Sequence, residues 1–500
     1  MAAGKLLPIL KCLMMFSKRM NLWIESVAFA TSFTILLPDA YAQLPENSVR
    51  RTPLVTVIEK AEKTVVALFA QDYSKSSIIS GSGSIVNSNG YVLTNNHVIP
   101  NKDGYAVYDG KAIPYRVVGR LPERDIAMVQ LSGDRTWPTS IVGRNNDLMN
   151  GETVIAAGNP GGRGVVFTAG IVSNKSMISN ASNALAMTQF SSNDSRDRVI
   201  QFDAASNPGN SGGSLIDLDS RLIGIVSGGV HQEQNVNYAI AIDQVRKSAM
   251  ALLEPEMRHQ RSTGITIDPQ SDGCRVACVD VDSAAQTAGL SVDDIIISVN
   301  GASVKQVLDW AIVLDQTLRT TAKLELEIQA NGLSKKLSLE ATPTPALEAA
   351  KVDRTQPGLR YKLYAGAFTA IPDFGPMTIE QEGAVDQFLL SLVTKKEREN
   401  FSVAFDGFLD IKQEGLYRLT LSSDDGSKLM LHDKLWIDND FNHPPKSMSR
   451  LARMSRGLQP IVIQYYQASG GAELSLTLTH VDESTWNELP VNPIFVCKPK

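Results

Sequence analysis

Cysteine is scarce in this chain: four residues in 500. Cys274 and Cys278 fall four apart in "CRVACVDV", a stretch that reads as a strand. Extended residues at that spacing stand ~13 Å apart, too far to bridge. A bond from either to Cys497 is unforced, so a disulfide framework is not expected. There is no CxxC and no Cys/His cluster with zinc spacing, and catalysis is expected to need no cofactor. Basic blocks are also missing from a chain of net charge -5, which removes the electrostatic footprint of a nucleic-acid partner. No apolar run approaches the ~20 residues needed to span a bilayer. The run "SVAFATSFTILL", Ser26 to Leu37, follows Lys18 and Arg19 and precedes Ala40-Tyr41-Ala42. That is the pattern of an export signal over 1–42, with Met20 as an alternative start, and it places the mature chain in a periplasm or outside the cell.

What is present fits folded domains. Hydrophobic residues make up 43% and charged residues 20%. The length allows about three domains at ~150 residues each. Residues 43–257 read as short strands broken by glycine turns, mainly β, with a hairpin at Asn87-Ser88-Asn89-Gly90. Helical spacing is expected over "PLVTVIEKAEKTVVALF" and near "DQVRKSAMALLEP". Residues 258–342 mix strands with two helices. Ser283 is a candidate N-cap with Gly289 as the stop. Val304, Leu308, Ala311 and Leu314 have helical spacing, and Asn331-Gly332 marks another hairpin. The Pro- and Thr-rich stretch 343–356 reads as a linker. Beyond it, 357–500 reads as an all-β unit in which Leu474, Leu476 and Leu478 alternate with Ser475, Thr477 and Thr479.

One segment raises a chemical question. "DAASNPGNSGGSL", Asp203 to Leu215, sets Ser211 among turn-formers. A surface turn explains the composition. So does a nucleophile loop, because an attacking serine needs backbone N–H groups aimed at an oxyanion. A nucleophile also needs a base and an acid that orients it. The histidines between 53 and 252 are His97 and His231. His97 directly follows the strand "YVLTNN", whereas His231 lies in the polar stretch "GGVHQEQN". Asp125 stands just before the apolar "IAMVQL", where a turn or cap residue is an equally ordinary reading.

Taken in order, "LTNNHVI", "RDIAMVQL" and "NPGNSGGSL" closely resemble the HtrA-type serine proteases of the chymotrypsin-fold superfamily. "GSGSIV", "AAGNPGG", "TAGIVS", "LIGIVSG" and "VNYAIAI" support the likeness. The resemblance implies a two-barrel protease with His97 as general base, Asp125 as its orienter and Ser211 as nucleophile. It places the oxyanion hole at the N–H groups of Gly209 and Ser211. Ala205 and Ser206 depart from the residues that set side-chain preference in relatives, so the cut site stays open. "DSAAQTAGLSVDDIIISVNG" resembles a PDZ domain, with a carboxylate-gripping loop at Thr263-Gly264-Ile265-Thr266 that lacks the usual aromatic or leucine. "FDGFLDIKQEGLYRLTLSSDDGSKLMLHDKLWID" resembles the protective-antigen-type β-sandwich. In some relatives two consecutive aspartates bind calcium and, through it, sugar; Asp424 and Asp425 hold that position, although Asp425-Gly426 is also turn chemistry. The resemblances imply an exported, ATP-independent serine endopeptidase acting on unfolded proteins. A PDZ domain would take peptide C-termini and the last domain a glycan, in a homotrimer or larger assembly. The rival reading is a proteolytically silent, chaperone-like or glycan-binding scaffold.

Overall fold

The structure is a computed structural model that describes residues 48–72, 77–100, 103–178, 198–229, 235–395, 398–443, 445–482 and 488–499. The signal-like segment 1–42, including Met20, and His231 lie outside the described residues. The first expected helix changes state partway. Pro53–Ala61 is helical and Glu62–Thr64 a 3-10 turn, but Val65–Asp72 is a strand, β1. The run Thr64-Val65-Val66 is β-branched, and such side chains pack better on a pleated surface than against a helical turn.

Five more strands close a barrel with β1: β2 (Ser77–Asn87), β3 (Tyr91–Thr94), β4 (Asp103–Tyr108), β5 (Lys111–Leu121) and β6 (Ile126–Leu131), in the order β1-β2-β3-β6-β5-β4. The Asn-Gly hairpin joins β2 to β3, with Gly90 at φ +81°. A second set follows: β7 (Ile141–Val142), β8 (Thr153–Gly158), β9 (Val166–Ile178), β10 (Arg198–Phe202), β11 (Ser214–Asp217), β12 (Arg221–Gly229) and β13 (Asn237–Ala241). Six of these pair as β11-β8-β9-β10-β13-β12, and β11 pairs back onto β12, so the set closes as a second barrel with β7 on its flank. Each barrel has its own apolar filling, around Leu68 and Val129 in one and Ile200 and Val226 in the other.

The helix Ile242–Leu253 leaves the second barrel and meets the next unit. There the strands Ile265–Ile267, Cys274–Val279, Ile295–Val299, Lys323–Ala330 and Leu333–Glu340 form one sheet. Ser283 caps its short helix by accepting the Gln286 N–H at 3.1 Å. The longer helix spans Val307–Thr320; Val304 precedes it yet is buried with Leu308, Ala311 and Leu314. One continuous core runs from Tyr91 and Leu93 of the first barrel through Leu252 to Trp310 and Leu314. The third unit is a sandwich of two sheets. Phe401, Phe405 and Leu409 of one face Leu419, Leu421 and Leu476 of the other in one core. The Pro- and Thr-rich segment is laced onto this sandwich, with Leu347 donating to the Arg453 carbonyl at 2.9 Å and Ala350 to that of Leu458 at 2.7 Å. Cys274, Cys278 and Cys497 are all unbonded to one another.

Charge also ties the second unit to the first barrel. Asp315, 0% exposed on the helix Val307–Thr320, meets His259 at 2.9 Å and Arg319 at 2.8 Å, and accepts the Tyr91 hydroxyl of β3 at 3.4 Å. Arg258 lies 3.9 Å away. Removing one side of a buried charge cluster leaves the other uncompensated. Asp315→Ala is therefore expected to destabilise the chain by ~3–5 kcal/mol in urea unfolding. A loss below ~1 kcal/mol would mean that water reaches the cluster and screens it.

Candidate active site

His97 and Asp125 come from the same barrel, and the chain brings them together by two tight turns. Strand β3 ends at Thr94 and the 3-10 turn Asn96–Val98 carries His97 outward. Asp125 ends the turn Pro122–Arg124 with φ +52°. Its carbonyl accepts the Asn96 N–H at 3.1 Å and the Asn95 side-chain amide at 3.0 Å. Its carboxylate is 4% exposed. One oxygen accepts the His97 backbone N–H at 3.0 Å; the other lies 2.8 Å from His97 Nδ1 and accepts the Ser227 hydroxyl at 3.2 Å. A carboxylate facing Nδ1 holds the proton there, which leaves Nε2 as the acceptor.

Ser211 arrives from the other barrel, on the loop between β10 and β11. Ser82 of β2 fastens that loop across the barrel interface. Its N–H donates to the Ser211 carbonyl at 2.8 Å, its hydroxyl donates to the Gly209 carbonyl at 2.7 Å, and the same hydroxyl accepts the Asn159 N–H at 2.8 Å. Gly212 sits at φ +84°, and a Cβ there would lie 2.2 Å from the Ser82 carbonyl oxygen, so a side chain is excluded twice over. The N–H groups of Gly209 and Ser211 donate to no described residue. The Ser211 hydroxyl donates to the Ser227 carbonyl at 3.4 Å. Thus His97 and Asp125 are joined, while Ser211 lies on a loop of the other barrel without a hydrogen bond to His97.

Three residues here escaped the sequence reading. Ser82 and Ser227 lie within "GSGSIV" and "LIGIVSG", whose likeness to relatives was the only signal available. Asn210, read as a turn-former, does make the turn, donating to the Asn207 carbonyl at 3.0 Å, yet its side chain is 4% exposed and its Oδ1 lacks a partner.

The other candidate sites look different. Thr263 is fully buried, and both its N–H and its hydroxyl donate to one oxygen of Glu256, at 2.7 and 2.5 Å. Gly264 has φ +73°, and a Cβ would strike Ser283. Ile265 opens a strand that pairs on one edge only, with Cys274–Val279. In the sandwich, the Asp424 carboxyl is pushed up to about 6 by burial and by the neighbouring Asp425 and Glu473. Asp425 is 6% exposed and accepts the Ala468 N–H at 2.8 Å. Asp440 is already matched by Lys428 at 2.6 Å. Among the described residues no group of three or more His, Cys, Asp or Glu is placed to hold a metal. The adjacent, uncompensated pair suits a hard cation in charge, but its remaining oxygens would have to come from backbone or amide groups.

Comparison with known proteins agrees with this layout. Residues 81–225 match the trypsin-like peptidase domain model, 252–340 the PDZ domain and 355–488 the PA14 domain. The "Serine protease Do-like HtrA" of Bacillus subtilis (strain 168) is 30% identical over 308 residues, covering 55% of this chain and 67% of that one. A "Probable periplasmic serine endoprotease DegP-like" of Pseudomonas putida (strain W619) is 33% identical over 283 residues, 52% of this chain and 55% of its own. The "Periplasmic serine endoprotease DegP" of Escherichia coli (strain K12) is 30% identical over 281 residues, 52% of this chain and 56% of its own. The chain thus spans between about half and two thirds of these relatives. Among solved structures, the serine endoprotease from Yersinia pestis is 26% identical, covering 58% of this chain and 98% of that one at a TM-score of 0.34. The HtrA-type protease AlgW with tripeptide gives 26%, 59% and 98% at 0.34. With paired barrels, a PDZ domain behind them and 30% identity to an HtrA protease of which it covers 67%, the chain belongs to the HtrA-type serine endoproteases.

Proposed function

We propose that this chain is an exported, ATP-independent endopeptidase that cuts unfolded or damaged proteins through Ser211, His97 and Asp125. The observation that carries the reading is the 2.8 Å contact of His97 Nδ1 with a buried carboxylate, beside a glycine-turned serine loop with two undonated N–H groups. The reading requires the Ser211 hydroxyl to exchange the Ser227 carbonyl for His97 Nε2 as its acceptor. His97 then takes the hydroxyl proton as Oγ attacks the scissile carbonyl, and Asp125 offsets the imidazolium charge. The N–H groups of Gly209 and Ser211 receive the oxyanion. His97 hands its proton to the leaving amine, and water resolves the acyl-enzyme by the same route. Hydrogen bonds of this kind are often long without substrate and tighten in the complex. The Ser211 hydroxyl's bond to the Ser227 carbonyl equally suits a protease held at rest, and it is what favours the rival, a silent scaffold. Export rests on the signal-like segment and on the periplasmic names of two relatives. Incubating the mature chain with unfolded casein and a fluorophosphonate probe decides between the two readings. Cleavage with the label on Ser211 supports the enzyme; neither, even with added peptides, leaves the scaffold.

For the last domain the proposal is a calcium-assisted glycan site at Asp424 and Asp425. The Asp424 carboxyl is raised in the folded state from an unfolded value near ~4 to about 6. Stability is therefore full below pH ~4 and is lost as pH rises toward 6 and the charge forms. Because Asp424 is partly exposed, the loss is discounted to ~1 kcal/mol. Asp424→Asn should restore that stability at pH 7 and change little at pH 4. Millimolar calcium should raise the wild-type melting temperature at pH 7, and leave the Asp424→Asn, Asp425→Asn double variant unmoved. A wild-type transition indifferent to calcium would rule the metal out.

A further inference from the structure

The four-residue helix Pro255–Arg258 is held from several sides. Ahead of it, Glu254 accepts the Leu451 N–H of the sandwich at 3.3 Å, with Arg418 at 3.6 Å. At its end, Arg258 donates to the Val118 carbonyl of the first barrel at 2.6 Å. His259 follows, against Asp315 at 2.9 Å. Glu256 lies between these anchors, so its direction is fixed by contacts other than its own. Its Oε1 accepts the Thr263 N–H at 2.7 Å and the Thr263 hydroxyl at 2.5 Å. Thr263 begins the loop that leads into the one-sided strand Ile265–Ile267.

Two features make this contact more than an incidental turn. A loop opening onto a free sheet edge is where a PDZ domain grips a peptide's terminal carboxylate with backbone N–H groups while the peptide adds as a strand. Glu256 offers a carboxylate to the first of those N–H groups from within the chain. No described Lys, Arg or His pairs with Glu256, and the charged neighbour that acts on it, Asp280, repels it. Burial also works against its ionised form, with the two Thr263 bonds opposing that push. A half-buried carboxylate without a counter-charge carries a desolvation cost.

We infer that Glu256 is a built-in stand-in for the ligand's terminal carboxylate, so that this PDZ domain is self-occupied and admits a peptide C-terminus only by displacing it. The inference rests on the proposed reading of Thr263-Gly264-Ile265 as the carboxylate loop. A tethered competitor acts at high effective concentration, so an incoming peptide binds with an affinity lowered by the fraction of time that Glu256 is seated. This also accounts for a loop without the usual leucine or aromatic before glycine: Thr263 supplies a second donor to the internal carboxylate.

The test uses the full mature chain carrying Ser211→Ala, to prevent cleavage of the probe. The probe is a fluorescein-labelled decapeptide ending in valine with a free carboxylate, and the control is its C-terminal amide. Fluorescence anisotropy gives both affinities. Glu256→Ala should tighten binding of the free-carboxylate peptide by at least about tenfold. Glu256→Gln keeps an acceptor oxygen for Thr263 and loses the charge, so it should fold as the parent does and give a smaller gain. The amide should gain nothing in any background. If the parent and both variants bind the free-carboxylate peptide equally, and better than the amide, Glu256 is no competitor while the carboxylate loop stands. If none of the three prefers the free carboxylate, removing Glu256 has opened no site, and the loop reading falls with it.

Discussion

Ser211→Ala should lower casein cleavage by roughly 10⁴- to 10⁶-fold and abolish fluorophosphonate labelling, with no change in the melting curve. The effect is large because the neighbouring hydroxyls are committed elsewhere: Ser227 donates to Asp125 at 3.2 Å and Ser82 to the Gly209 carbonyl at 2.7 Å. Stability is spared because the Ser211 hydroxyl makes a single long contact, 3.4 Å to the Ser227 carbonyl. The loop itself is held by the backbone carbonyls of Ser211 and Gly209 through Ser82, and alanine leaves both in place. Steady-state cleavage read beside a thermal melt separates the two quantities. A variant that folds normally and keeps more than about one hundredth of the activity would mean that Ser211 is not the nucleophile.

Asp125→Asn should cost about 10⁴-fold in kcat, for a different reason. The substitution is nearly isosteric, so the backbone can stay in place. The amide oxygen can still accept the His97 N–H, now at 3.0 Å from the carboxylate. The amide nitrogen, however, would donate toward His97 Nδ1 and force that atom to become the acceptor. Nε2 would then carry the proton and could not receive the one from Ser211. The imidazolium would also lose its counter-charge. If kcat falls by less than about tenfold, Asp125 serves to position the His97 backbone and the tautomer is held by another group.

Much of this was legible in the residues. Hairpins at Asn89-Gly90 and Asn331-Gly332 were readable because the positive φ of Gly90, Asn331 and Gly332 admits few residue types. Ser283 was readable as a cap because a hydroxyl ahead of a small-residue run has one good use there. The N-terminal stretch misled, since its apolar spacing continued past Ala61 while β-branched residues took over, and pairing of Val65–Asp72 with β2 decided the outcome. Local pattern carries no information about a partner strand that is still to come in the chain.

The division at the sites follows the same line. Sequence alone, through the motifs around them and their likeness to the HtrA-type proteases, singled out His97, Asp125 and Ser211, which each stand at a strand end or in a glycine turn. Tertiary structure decided whether they meet. The His97–Asp125 contact needs only two adjacent turns of one barrel, whereas the Ser211 loop is placed by Ser82, 129 positions earlier and in the other barrel. Whether the PDZ loop stands open was likewise beyond the residues taken in order. Glu256 and Thr263 are close in sequence, but their bond exists because the sandwich holds Glu254 and the first barrel holds Arg258, contacts that arise only when separate domains pack together.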